Sequence, residues 1–73
     1  MTPQDLGTAV RKARRQQGLR QDQLAAAANV GVRFIVDLEA GKPTAQMGKT
    51  LGVLKALGLE LTFPGETAPK GSS

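Results

Sequence analysis

Cysteine, histidine, tryptophan and tyrosine are all missing from the 73 residues. Without cysteine the chain has neither a disulfide nor a thiolate metal site, which suits a reducing cytoplasm. Without His and Cys the usual nucleophile–base pairs and most zinc donor sets cannot be assembled. Serine occurs only at Ser72 and Ser73. The six acidic residues are scattered, and no two share an apolar setting that would push their pKa values apart for acid–base work. Neither an enzyme nor a cofactor is expected. No run of 18 apolar residues is present, so no transmembrane helix is expected. The opening MTPQDLG lacks the basic-then-apolar order of a signal peptide. The expected location is cytoplasmic, with no membrane partner.

What is present is basic and small. Ten Lys and Arg give a net charge of +4 and a pI near 10.2. Such a surface favours nucleic acid or an acidic membrane. Seventy-three residues make one domain with a small, marginal core. With no covalent staple available, oligomerisation is the expected further source of stability.

The stretch LRQDQLAAAANVGVRFIVDLEAGK, from Leu19 to Lys42, reads as two short helices joined by a tight turn. The first runs from Gln21 to Ala28, with Leu24, Ala25 and Ala28 on one face. Asn29 tolerates the left-handed backbone that ends helices, and Gly31 can open the next one. The second runs over residues 32–40 and is stopped by Gly41. On it Ile35 and Leu38 point one way, while Val32, Arg33, Val36 and Ala40 cluster on the other. A helix in a DNA major groove can use such a face, with Arg33 bonding guanine and the valines touching thymine methyls. Spacing alone leaves open a helical hairpin with a solvated face. The run of four alanines lets the two helices cross closely. Phe34 is expected at the edge of the core rather than as a wedge between bases.

These residues resemble the helix-turn-helix of the Cro/CI-type (XRE) repressor family. Gln21, Leu24, Ala25, Val30, Ile35, Glu39, Gly41 and Lys42 stand in the register of the family pattern. Asn29 departs from it where Gly is usual, and Gly31 replaces a capping Ser or Thr. The resemblance implies an all-α, lambda-repressor-like domain of four to five helices. It implies base contacts from Val32, Arg33, Val36 and Asp37, with Asp37 more suited to steering the helix than to a cytosine amino group. It implies phosphate contacts from Arg20, Gln21, Lys42 and Arg14, and an ion pair between Arg14 and Glu39 that ties the first helix to the third.

Around this unit, Thr2-Pro3 starts a helix that should run to about Gln17, with Leu6, Val10, Ala13 and Gln17 on one stripe. Arg11, Lys12 and Arg15 cover its remaining surface, either solvated or near flanking phosphates. A fourth helix is expected from Gln46 to Leu57, with Met47, Leu51 and Leu54 at helical spacing and Gly48 and Gly52 weakening it. The period then changes: Leu59, Leu61 and Phe63 alternate with Glu60 and Thr62, as in a half-buried strand. A lone strand needs a partner for its backbone groups, and the simplest is the same strand of a second copy on a two-fold axis. Residues 1–63 are thus read as the DNA-binding domain, with 59–63 as its dimerisation strand. Residues 64–73 are read as a disordered tail.

Helix-turn-helix, fourth helix and Leu-Gly-Leu-Glu-Leu together resemble HipB-type antitoxins, which are encoded beside HipA-type kinase toxins. That resemblance implies a homodimeric autorepressor on a palindromic operator in double-stranded DNA that also binds a HipA-like toxin. An ordinary phage-type or metabolic repressor, or a protein-interaction module without DNA binding, is the alternative.

Overall fold

The computed structural model describes residues 2–43 and 46–59. They form helices α1 (Pro3–Gln16), α2 (Gln21–Ala28), α3 (Val32–Glu39) and α4 (Met47–Ala56). α3 packs against both α1 and α2, and α4 against α2. α1 begins with a reciprocal capping box: the Asp5 amide donates to Thr2 Oγ1 at 3.0 Å and the Thr2 amide donates to Asp5 Oδ2 at 3.2 Å. At α2 only half of such a box is possible, because Arg20 has no side-chain acceptor. The Arg20 amide donates to Gln23 Oε1 at 2.8 Å.

All four helices end in the same way. The amides of Leu19, Val30, Lys42 and Leu59 donate back to the carbonyls of Arg14, Ala25, Asp37 and Leu54, respectively. The residue before each donates to the next carbonyl along, those of Arg15, Ala26, Leu38 and Lys55, which completes a Schellman motif. The left-handed residue in each is Gly18, Asn29, Gly41 or Gly58. At the helix-turn-helix corner this residue is Asn29, at φ 58 and ψ 46. Asparagine is among the few side chains that accept that region, so the corner keeps its geometry where glycine would be usual. The motif carries an apolar contact from the residue after the turn. Leu19, Val30 and Leu59 supply it, each packing on the core. Lys42 breaks the pattern, and it lies at the end of α3.

The core is Val10, Ala13, Leu24, Ala25, Ile35, Leu38, Val53, Leu54 and Leu57. Met47 and Leu51, expected at inward spacing, stand outside it at 59% and 46% exposure. α4 buries the expected Leu54 together with Thr50 and Val53, and Leu57 is buried just past its end. This alternative stripe contains a hydroxyl, which counts as polar in a sequence pattern. Thr50 satisfies it locally by donating to the Gln46 carbonyl at 3.3 Å, so its burial leaves nothing unpaired.

Gly7 sets the crossing of α1 and α3. A Cβ there would collide with the Leu38 carbonyl oxygen and sit 2.9 Å from that of Glu39. Neither backbone atom can swing aside. The expected stripe on α1 did not include this position.

The described residues contain no strand. The fold is therefore an all-α, four-helix unit within those limits, and the expected C-terminal strand across a dimer is not part of it. Of Leu59, Leu61 and Phe63 only Leu59 is described, and it closes α4; residues 60–73, with the expected tail, lie outside the described residues.

Candidate nucleic-acid interface

The two faces of α3 are sharply divided. Ile35 and Leu38 are buried at 0% and 3% exposure. Val32, Arg33, Val36 and Ala40 are exposed. Val32 and Val36, one turn apart, are 47% and 37% accessible and lie outside the core formed by the described residues. Phe34 belongs to neither set: it is half-buried against the core, with Lys49 Nζ 5.9 Å from its ring centroid.

Arg33 projects from the exposed face with its side chain 81% accessible. Its Nε lies 3.4 Å from Asp37 Oδ1 one turn on. Lys42 Nζ approaches the same Oδ1, also at 3.4 Å. Asp37 thus sits between the cation expected at a base and the cation expected at a phosphate. Exposed pairs at this distance are worth about 0–1 kcal/mol, so both cations can leave it for an anion. The arrangement suits Asp37 to orienting Arg33 and Lys42. The chain positions of the three residues do not show this cluster, because Lys42 is brought back toward Asp37 only by the left-handed turn at Gly41, where φ is 82.

Behind this face lies a buried ionic hub. Arg14 Nε and Nη2 donate to the two carboxylate oxygens of Glu39 at 2.7 and 3.1 Å. Arg14 Nη1 donates to the Leu19 carbonyl at 2.7 Å. Gln21 Nε2 donates to Glu39 Oε1 at 3.2 Å. One carboxylate therefore joins α1, the start of α2 and the end of α3. The Arg14 and Glu39 side chains are 12% and 5% exposed. Of the two roles expected for Arg14, the ion pair is present. The phosphate contact does not fit, since the fork of its guanidinium is turned inward onto Glu39 and Leu19.

Gln21 stands at the first position of α2, and the amide hydrogen that Glu39 does not hold is left for an anion at that helix N-terminus. Arg20 is exposed, and its Nε donates to Asp22 Oδ1 at 3.1 Å. That hydrogen bond holds the Asp22 carboxyl below the ordinary carboxylate value. A phosphate contact from Arg20 has to displace this pairing. No group of His, Cys, Asp and Glu among the described residues is arranged to hold a metal ion. No helix among them is long and apolar enough to cross a membrane.

A helix-turn-helix family model, HTH_3, matches residues 10–63. The chain belongs to the helix-turn-helix family, XRE type. Among curated proteins it is 61% identical over 67 residues to a protein of Sinorhizobium fredii described as an uncharacterized HTH-type transcriptional regulator, covering 89% of this chain and 88% of that one. In a helix-turn-helix the second helix of the pair is the one that enters the major groove. Here that helix is α3, whose outer face is the one with Arg33 and the two exposed valines.

Proposed function

We propose that this helix-turn-helix protein, by family a DNA-binding transcription regulator, is a homodimeric repressor of its own promoter and the antitoxin of a HipA-like kinase toxin. The observation that carries DNA reading is the outer face of α3. Arg33 is its one long cationic donor, suited to the two acceptors of guanine, and Val32 and Val36 are suited to thymine methyls. Gln21 and Lys42 flank that face at the start of α2 and the end of α3, and contact phosphates. Asp37 holds the two cations until DNA replaces it. The Arg14–Glu39–Gln21 hub fixes α2 and α3 relative to one another, so that phosphate and base contacts keep one register.

Dimerisation is assigned to residues 59–63, through backbone pairing of Leu59, Leu61 and Phe63 with the same residues of a second copy. Two such units read a palindrome with half-sites about one helical turn, roughly 34 Å, apart. The toxin partner is supported by the sequence pattern of the C-terminal segment, Leu-Gly-Leu-Glu-Leu after α4. The groove face stays on DNA in such a complex, which leaves the outer faces of α1 and α4 for the toxin.

One set of measurements tests each level. A gel shift with the DNA upstream of the gene should show a dimer bound at nanomolar to micromolar concentration; no shift at low salt removes the DNA reading. Titration calorimetry against the product of the adjacent gene should show heat of binding. Operator binding without that heat leaves an ordinary repressor.

A further inference from the structure

The cations around the reading face are mostly held by a carboxylate. Arg14 is turned inward onto Glu39, Arg20 donates to Asp22, and Arg33 and Lys42 share Asp37. Lys49, on α4, differs. No acidic side chain among the described residues pairs with it. Its ammonium lies instead over the Phe34 ring, 5.9 Å from the centroid. We propose that Lys49, seated on Phe34, is a further phosphate contact that holds the DNA strand on the α4 side of the reading face. The contact rests on the DNA-binding role proposed above and adds to it a residue outside the Leu19–Lys42 stretch.

Position is the first reason. Phe34 stands three residues before Asp37, so the two are neighbours on the surface of α3. Phe34, Asp37 and Lys42 line one concavity, together with Leu38, Pro43 and Gln46. The ring that carries Lys49 thus opens onto the same hollow as the carboxylate that holds Arg33 and Lys42. Glu39, which ties α3 to Gln21, lies five residues from Phe34, about 140° round the axis at 3.6 residues per turn. Gln21 and Lys49 therefore flank α3 on different edges, one from α2 and one from α4.

The nature of the hold is the second reason. An aromatic face attracts an ammonium without neutralising it. A carboxylate has to be displaced before its cation can meet a phosphate, whereas the ring can stay in place. Phe34 is itself half-buried against the core, so the seat is fixed by packing. A lysine held in this way has less rotamer freedom to lose when it meets an anion. Charge and position are ready before DNA arrives.

Fluorescence anisotropy across a salt series tests the contact, with the operator and a random duplex as probes. Lys49→Ala should weaken both alike, by about tenfold near 0.1 M salt, and lower the salt slope by about one. Lys49→Arg keeps the charge and the ring contact and should restore both quantities. Phe34→Leu should lower affinity about two- to fivefold with the slope intact, the strength of one exposed cation–ring contact. In the Lys49→Ala background the same Phe34→Leu substitution should add no loss. An equal loss in both backgrounds means that Phe34 acts through packing alone and refutes the seat on which the proposal stands. Unchanged affinity and slope in Lys49→Ala overturn the phosphate contact, while operator binding by the native chain leaves the DNA reading standing. A loss confined to the operator makes Lys49 a base reader and overturns it too. A native chain that binds neither duplex removes the DNA reading itself, and this contact with it.

Discussion

Replacing Glu39 with alanine should nearly unfold the protein, although the side chain lies outside the apolar core. Glu39 accepts three hydrogen bonds and is 5% exposed. Its removal strands the Arg14 guanidinium at 12% exposure with only the Leu19 carbonyl left. Breaking a buried pair in this way costs about 3–5 kcal/mol, because the remaining charge is desolvated without a partner. A chain of 73 residues holds roughly 4–11 kcal/mol in total, at about 0.05–0.15 kcal/mol per residue. With a urea m-value near 1 kcal/mol/M for so small a domain, the midpoint should fall by about 3 M or more. Arg14→Met/Glu39→Met removes both charges and should recover to within about 2 kcal/mol of the native chain, the remainder being the Leu19 carbonyl and the Gln21 side-chain amide, each left without its partner. The assay is urea denaturation followed by far-ultraviolet circular dichroism. A Glu39→Ala midpoint within about 1 M of the native one would refute the reasoning, since it would mean that the pair is hydrated and weak.

Gly7→Ala should destabilise by about 1–3 kcal/mol through the clash with the Leu38 and Glu39 carbonyls. The same substitution at Gly48, where an added Cβ meets nothing within 4 Å, should stabilise by up to about 1 kcal/mol; thermal denaturation of the two variants side by side checks both signs. Asp37→Asn should change stability by less than about 1 kcal/mol, because both of its pairings are exposed. It should preserve the ratio of operator to random-sequence affinity, and a collapse of that ratio in competition binding would make Asp37 a base reader.

Much of this fold is legible in the sequence because its helix ends are local. Gly18-Leu19, Asn29-Val30, Gly41-Lys42 and Gly58-Leu59 each pair a left-handed residue with the amide that closes the motif, and such signals do not depend on distant contacts. The hub of Arg14 and Glu39 is separated by 25 positions. No periodicity places those two together, and only the family resemblance does. Two features escaped a pattern reading for physical reasons. Thr50 counts as polar until its hydroxyl is seen to bond one turn back, so the apolar pattern of α4 points to Met47 and Leu51 instead. Gly7 has no side chain to count, and its meaning appears only when the carbonyls of α3 are laid against it. The convergence of Arg33 and Lys42 on Asp37 depends on the turn at Gly41, so it is not visible in the spacing of the three residues.

The central claim is that the outer face of α3 reads bases while its flanks hold phosphates. The direct test is the ratio of operator to random-duplex affinity for Arg33→Ala and Lys42→Ala, measured by fluorescence anisotropy across a salt series. Arg33→Ala should lose about 1–3 kcal/mol on the operator and relax preference at one base position per half-site. Lys42→Ala should weaken both duplexes alike and lower the salt slope by about one. An unchanged specificity ratio in Arg33→Ala at fixed salt would contradict the assignment of this face.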